Sequence, residues 1–175
     1  MTLTVTRVPH ACVLLDFGGR VLRTDPWFSE RSGYTGVSRW CSPRGPGRAG
    51  VLVSHGHYDH FDPVAFAAYP DHAVPFIVKR GLAARARKAG FGNVTEVDPW
   101  ERADLGGLRV TAAPARHSVP EVSFIIEGSG QVVFFGGDTL RIAALDEVAA
   151  RFARIDLALL PVRGPAIRPA SPGRW

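Results

Sequence analysis

The chain has 175 residues, 46% of them hydrophobic, a size that builds one core and is short for two. Its 21 basic and 16 acidic residues leave a net charge of +5; the excess is arginine scattered along the chain, which gives weak attraction for anions and argues against a nucleic-acid groove. Two cysteines, Cys12 and Cys41, are too few for a disulfide framework and form no CxxC pair, and no apolar run approaches a membrane span, so reduced thiols and a cytoplasmic setting are expected.

Leu3 to Val8, Ala11 to Asp16 and Arg20 to Arg23 are short β-prone runs separated by Pro9-His10 and Gly18-Gly19, which predicts an opening meander. Residues Ser29 to Gly50 are rich in Gly, Pro, Ser and Arg and predict a long surface loop, of the kind that often carries function. Val51 to Val53 is a buried-type strand ending at Ser54. Asp62-Pro63 reads as an N-cap with proline at the first helical position, opening a helix through Tyr69. Phe76 to Val78 predicts a strand, Gly81 to Ala89 an Ala/Arg-rich helix closed by Gly90, and Val94 to Val97 a further strand.

Leu108 to Ala113, Ser123 to Ile126 and Gln131 to Phe135 again read as strands, with turns at Gly106-Gly107 and Gly128-Ser129-Gly130. Leu140 to Phe152 has helical apolar spacing, and Asp156 to Leu160 is a last strand. This order, without strict βαβ alternation, suggests two sheets with helices packed outside. A domain over 1–162 and an irregular tail over 163–175, rich in Pro, Arg and Gly, follow from the same reading.

The chemistry concentrates in His55-Gly56-His57-Tyr58-Asp59-His60, at the end of a predicted strand. Imidazole and carboxylate donors suit Zn²⁺ and other first-row divalent ions. In an extended segment His55 and His57 point to one side and can reach a single ion, while a turn after them can aim Asp59 and His60 at a second. The competing reading is a polar turn that happens to be His-rich, but only six histidines occur in the whole chain, so three within one hexapeptide favour metal binding. His117 after one strand, and Asp138 in Gly136-Gly137-Asp138-Thr139 after another, are weak signals alone: a lone His there is often structural, and a Gly-Gly-Asp turn often caps a helix.

On these residues, together with Thr24-Asp25-Pro26-Trp27, the chain resembles the metallo-β-lactamase-fold hydrolases, from the first strands to about Leu160. The Thr-Asp-Pro-Trp-Phe stretch and Ser54 to His60 look most like the branch containing ascorbate-6-phosphate lactonase and the N-acylphosphatidylethanolamine phospholipase D type. The resemblance implies an α+β, four-layer αββα sandwich with metal at one edge of the sheets. His55, His57 and His117 would hold one divalent ion, Asp59 and His60 a second, with Asp138 between them. Zn²⁺ is the expected metal, with Mn²⁺ or Fe as alternatives, and a metal-bound hydroxide oriented by Asp59 would be the nucleophile. Asp25 looks like a buried aspartate steadying the histidine loop, against the plainer reading of a turn Asp before Pro. Trp27, Phe28 and Tyr58 would wall the substrate cleft, although core packing accounts for at least one of them as well. His10 and His72 have no sequence partner and read as surface or supporting residues.

The chain departs from the family's pattern after Leu160. Members usually supply one more histidine there, and no histidine follows His117. A C-terminally incomplete second half is therefore expected, with a weaker second site whose missing donor is a water or comes from a partner chain, as in a homo-oligomer covering an open sheet edge. The function these readings give is hydrolysis of a small, anionic phosphoester or lactone. The alternative is a metal-binding fragment impaired in catalysis.

Overall fold

A computed structural model describes residues 2–8, 10–27, 48–67, 69 and 71–162, and the side chains of these except residues 48, 65 and 67. Eleven strands form two sheets among these residues. The first contains β1 (Leu3–Arg7), β2 (Val13–Phe17), β3 (Val21–Thr24), β4 (Arg48–Val53), β5 (Phe76–Lys79) and β6 (Val94–Val97), side by side in chain order. β1 to β3 are antiparallel, whereas β3 to β6 run parallel. The second sheet has the order β11-β10-β9-β8-β7, from β7 (Arg102–Leu105), β8 (Leu108–Pro114), β9 (Val122–Gly128), β10 (Gln131–Phe135) and β11 (Leu157–Leu159); only the β10–β11 pair is parallel.

Alternation along the strands sets the layers. Leu52 and Ile77 point into a core between the sheets that also takes Leu15, Phe17, Leu108, Val110, Phe124 and Phe135, while their neighbours Val51, Val53, Phe76 and Val78 point outward. That outward face is covered by α1 (Pro63–Ala67) and α2 (Ala83–Lys88) through Phe66, Ala83 and Ala86. On the far side Ala113, Ile125 and Phe134 pack against Val148 of α3 (Asp146–Arg151). Strands apolar on both faces need cover on both. The result is the metallo-β-lactamase fold, four layers in the order αββα.

Several boundaries differ from the sequence reading. β4 begins at Arg48, so the predicted loop ends earlier; its part over 29–47, with Cys41, lies outside the described residues, as do Phe28 and the tail 163–175. β7 was not predicted: two of its four residues, Arg102 and Asp104, are charged and exposed, and it pairs with β8 through the Gly106-Gly107 turn. The predicted helix over 140–152 shortens to a 3-10 turn at Ala143–Leu145 followed by α3. Leu140 donates its backbone N–H to Arg116 O, and Ile142 is extended, so the helix cannot start earlier. No described helix is long and apolar enough to cross a membrane. Cys12 is fully buried.

Candidate metal centre

The parallel register of β3 and β4 aligns Thr24 with Leu52, so the residues that follow, Asp25 and Ser54, leave the sheet at the same edge. Asp25 is fully buried and has φ of 36°, an unusual backbone for an aspartate. Its Oδ1 accepts from Ser54 N–H at 2.7 Å and its Oδ2 from Ser54 O–H at 2.6 Å, and Oδ2 lies 2.8 Å from His60 Nδ1. The histidine loop is thereby fixed at both ends. Within it, His60 N–H and Phe61 N–H both donate to His57 O, closing a turn, and Phe61 buries its ring against Phe66 and Phe76. Arg85 on α2 donates to Gly56 O at 2.7 Å and holds the loop from outside.

The second sheet contributes at the same edge. Val122 N–H donates to Ser54 O, joining β9 to the end of β4. His117 follows β8 and Asp138 follows β10; Arg116 N–H donates to Thr139 Oγ1, so the two loops support each other.

His55 Nε2 lies 3.0 Å from His57 Nδ1, and His57 Nδ1 lies 3.2 Å from His117 Nε2. One ring nitrogen from each of the three residues falls within 4.8 Å of the others. Two donors on a tetrahedral ion at ~2.0–2.2 Å are about 3.3–3.6 Å apart, so this spacing fits one cation. The His55 tautomer is set from behind: its Nδ1 lies 3.0 Å from Ser54 Oγ and 3.1 Å from Glu121 Oε1, which leaves Nε2 as the inward donor. Burial, then the adjacent His55 and His117, hold the His57 pKa below its usual value.

His60 completes the picture on the other side. Its Nδ1 serves Asp25; its Nε2, 3.2 Å from Asp138 Oδ2, is out of line for a hydrogen bond and is a buried nitrogen without a hydrogen-bond partner. Burial opposes charge on this ring, yet Asp25 and Asp138 outweigh burial and raise its pKa to about 10. Asp138 Oδ2 is also 3.8 Å from His117 Nε2, so it stands between the two clusters. Its pKa is lowered, first by His60. For Asp59, burial acts against ionisation, but hydrogen bonding to His10 and the charge of His60 bring its pKa down to about 2.

The donors therefore fit divalent metal on this structure's own terms. Ring nitrogens converge on shared points, one buried nitrogen has no hydrogen-bond partner, and the donor set is mixed N/O. His55, His57, His117, Asp59, His60 and Asp138 can hold such ions, and Asp25 supports the loop by three contacts to Ser54 and His60. Trp27 is buried, with its ring edge-on to His10 and Tyr58, while Tyr58 is half-buried. His72 stands apart, its Nε2 2.9 Å from Phe66 O.

Three further participants are Ser54 and Glu121, to which the sequence reading gave no role, and His10, which it placed as a surface or supporting residue without a partner. Ser54 bridges Asp25 and His55. Glu121, fully buried at its side chain, accepts from Asp138 N–H at 2.7 Å through the same Oε1 that faces His55. His10 Nε2 lies 3.0 Å from Asp59 Oδ2. No local pattern marks Glu121, which precedes β9 in a plain Pro-Glu-Val; its pairing is visible only once β8 and β9 close over the histidine loop.

Comparison with known proteins agrees with this architecture. Residues 20–171 match the beta-lactamase superfamily domain. An uncharacterized protein of Mycobacterium tuberculosis is 30% identical over 91% of this chain and 48% of its own length, so the chain spans about half of that relative. A protein named metal-dependent hydrolase from Methylacidiphilum infernorum is 27% identical over 89% of this chain and 70% of its own. Among solved structures, a diiron β-hydroxylase from Streptomyces venezuelae superposes with a TM-score of 0.68 at 22% identity, over 89% of this chain and 34% of that one. With this match over most of its length, the chain belongs to the beta-lactamase superfamily.

Proposed function

We propose that the chain forms the metal centre of a hydrolase acting on a small anionic phosphoester or lactone, with His55, His57 and His117 holding one divalent ion, Asp59 and His60 a second, and Asp138 shared. The single observation that carries this reading is the convergence of three histidine ring nitrogens beside a second donor group, with one carboxylate within 3.8 Å of a ring nitrogen in each. Relatives that carry the name metal-dependent hydrolase point the same way. Bound metal supplies Lewis acidity toward a carbonyl or phosphoryl oxygen and activates the attacking water. Zn²⁺ suits the N/O donor set best, and Mn²⁺ and Fe fit it as well.

This chain's own side chains do the rest. Asp59, whose pKa is brought down to about 2, is ionised at neutral pH and orients the attacking water by accepting its proton in a hydrogen bond. Tyr58, half-buried beside the donors, forms a wall of the cleft, with Trp27 packed behind it. Arg116 and Arg141 are exposed on the loops that carry His117 and Asp138, where they favour an anionic substrate. Asp25, Ser54 and Glu121 hold ligand orientation and fix which imidazole nitrogen is free.

The test is hydrolysis of bis-p-nitrophenyl phosphate and of a simple lactone by metal-loaded protein whose metal has been identified by elemental analysis. Turnover abolished by chelator and by His57→Ala is the expected result. Full metal loading with no turnover on either substrate class would reject the hydrolase reading.

A further inference from the structure

The second donor group contains a histidine that belongs to none of the loops described so far. His10 lies in the turn between β1 and β2, yet its Nε2 comes within 3.0 Å of Asp59 Oδ2, and its ring centroid is 5.1 Å from that of His60. One donor atom each from His10, Asp59 and His60 falls within 4.8 Å of the other two. His55, His57 and His117 meet the same limit, and the 3.0 Å between His10 Nε2 and Asp59 Oδ2 is short enough for donors sharing one ion.

The backbone adds a second, independent sign. His10 has φ of 58°, a left-handed conformation that a residue with a Cβ seldom adopts. The turn is held in place: Val8 N–H donates to Cys12 O, and the His10 ring stands edge-on to the buried Trp27. Such strain persists where surrounding structure enforces it, and it gathers at functional sites. The side chain remains 36% exposed, so the position stays open to an incoming ion.

We propose that His10 is a protein ligand of the second metal, binding through Nε2 beside Asp59 Oδ2 and His60 Nε2, with Asp138 shared between the two ions. The inference rests on the metal-centre reading above. It gives the second ion a neutral nitrogen donor besides His60 from within the described residues. The rival role for His10 is a hydrogen bond that merely positions Asp59, and loss of such an outer partner weakens metal by ~10–100-fold.

Stripped protein is titrated with Co²⁺, and ions bound per chain are counted for the native chain, His10→Ala and His10→Asn, with folding checked by circular dichroism. The proton spectrum of the two-cobalt native protein is recorded as well, because a ligating imidazole shows hyperfine-shifted ring protons whether or not any variant folds. The expected result is two ions per native chain, a shifted His10 ring signal, and in both variants an intact first site with the second weakened by more than about 100-fold, beyond the outer-partner range. Unchanged second-site affinity in a folded variant overturns the proposal, and so does a two-cobalt protein without a shifted His10 signal. A native chain that binds one ion, lost in His57→Ala, also overturns it while sparing the first site. A native chain that binds none removes the metal-centre reading as well.

Discussion

Replacing Asp25 with alanine should damage this protein far more than a turn residue would. The carboxylate is fully buried and takes two contacts from Ser54 and one from His60 at 2.6–2.8 Å. Alanine leaves the Ser54 N–H, the Ser54 hydroxyl and a His60 ring nitrogen without their partner. Breaking a buried charged pair costs about 3–5 kcal/mol, a large share of a typical domain's ~5–15 kcal/mol. For a chain of this size that corresponds to a fall of roughly 6–20 °C in Tm. Thermal melts of chelator-treated Asp25→Ala and native protein, followed by circular dichroism, measure it. The pH dependence carries a sign of its own. His60 has its folded pKa raised to about 10 from the ordinary histidine value of about 6.5, so its contribution is complete below about pH 6.5 and fades as pH climbs through about 10. The Tm gap between native and variant should therefore narrow from pH 7 to pH 10. A gap under about 2 °C at pH 7, or one that widens with pH, would refute the reasoning.

Other consequences follow from the same geometry. Gly137→Ala places a Cβ 2.5 Å from Glu121 Oε1 and 2.9 Å from Ser54 Oγ at a residue with φ of 62°, so stability should drop by about 1–3 kcal/mol in denaturant melts, with weaker metal binding. Glu121→Ala deprives both His55 Nδ1 and the Asp138 N–H of their shared acceptor; metal affinity in a competition titration should fall ~10–100-fold while Glu121→Asp loses less. Metal must displace the proton that Asp25 and Asp138 hold on His60, so calorimetry at pH 7 in buffers of different ionisation enthalpy should register proton release, and affinity should weaken as pH is lowered.

Much of the scaffold could be read from periodicity. Val51-Leu52-Val53 and Phe76-Ile77-Val78 read as strands from their apolar runs, and both occur, apolar on both faces; that they pair in parallel is seen only in the structure. β7 was hidden because Arg102 and Asp104 alternate with small or apolar residues on an edge strand where only one face is covered. The helix over 140–152 was overestimated because apolar spacing gives no sign that the Leu140 N–H is committed to Arg116.

The site divides along the same line. His55, His57, Asp59 and His60 are neighbours in sequence and so declare themselves, and the structure brings His117 and Asp138 to them from other strand ends. Glu121 and His10 reach the cluster only through tertiary contacts: β8 and β9 fold Glu121 under His55, and the β1–β2 turn carries His10 over Asp59. Neither residue has a local partner in the chain that would betray it.

Anomalous diffraction at the metal absorption edge, from crystals of the metal-loaded protein, addresses the central claim most directly. Two peaks about 3.5–4 Å apart are predicted, one enclosed by His55, His57 and His117 and the other beside Asp59 and His60, with Asp138 touching both. A fully loaded crystal with no peak inside the three-histidine cage would contradict the account.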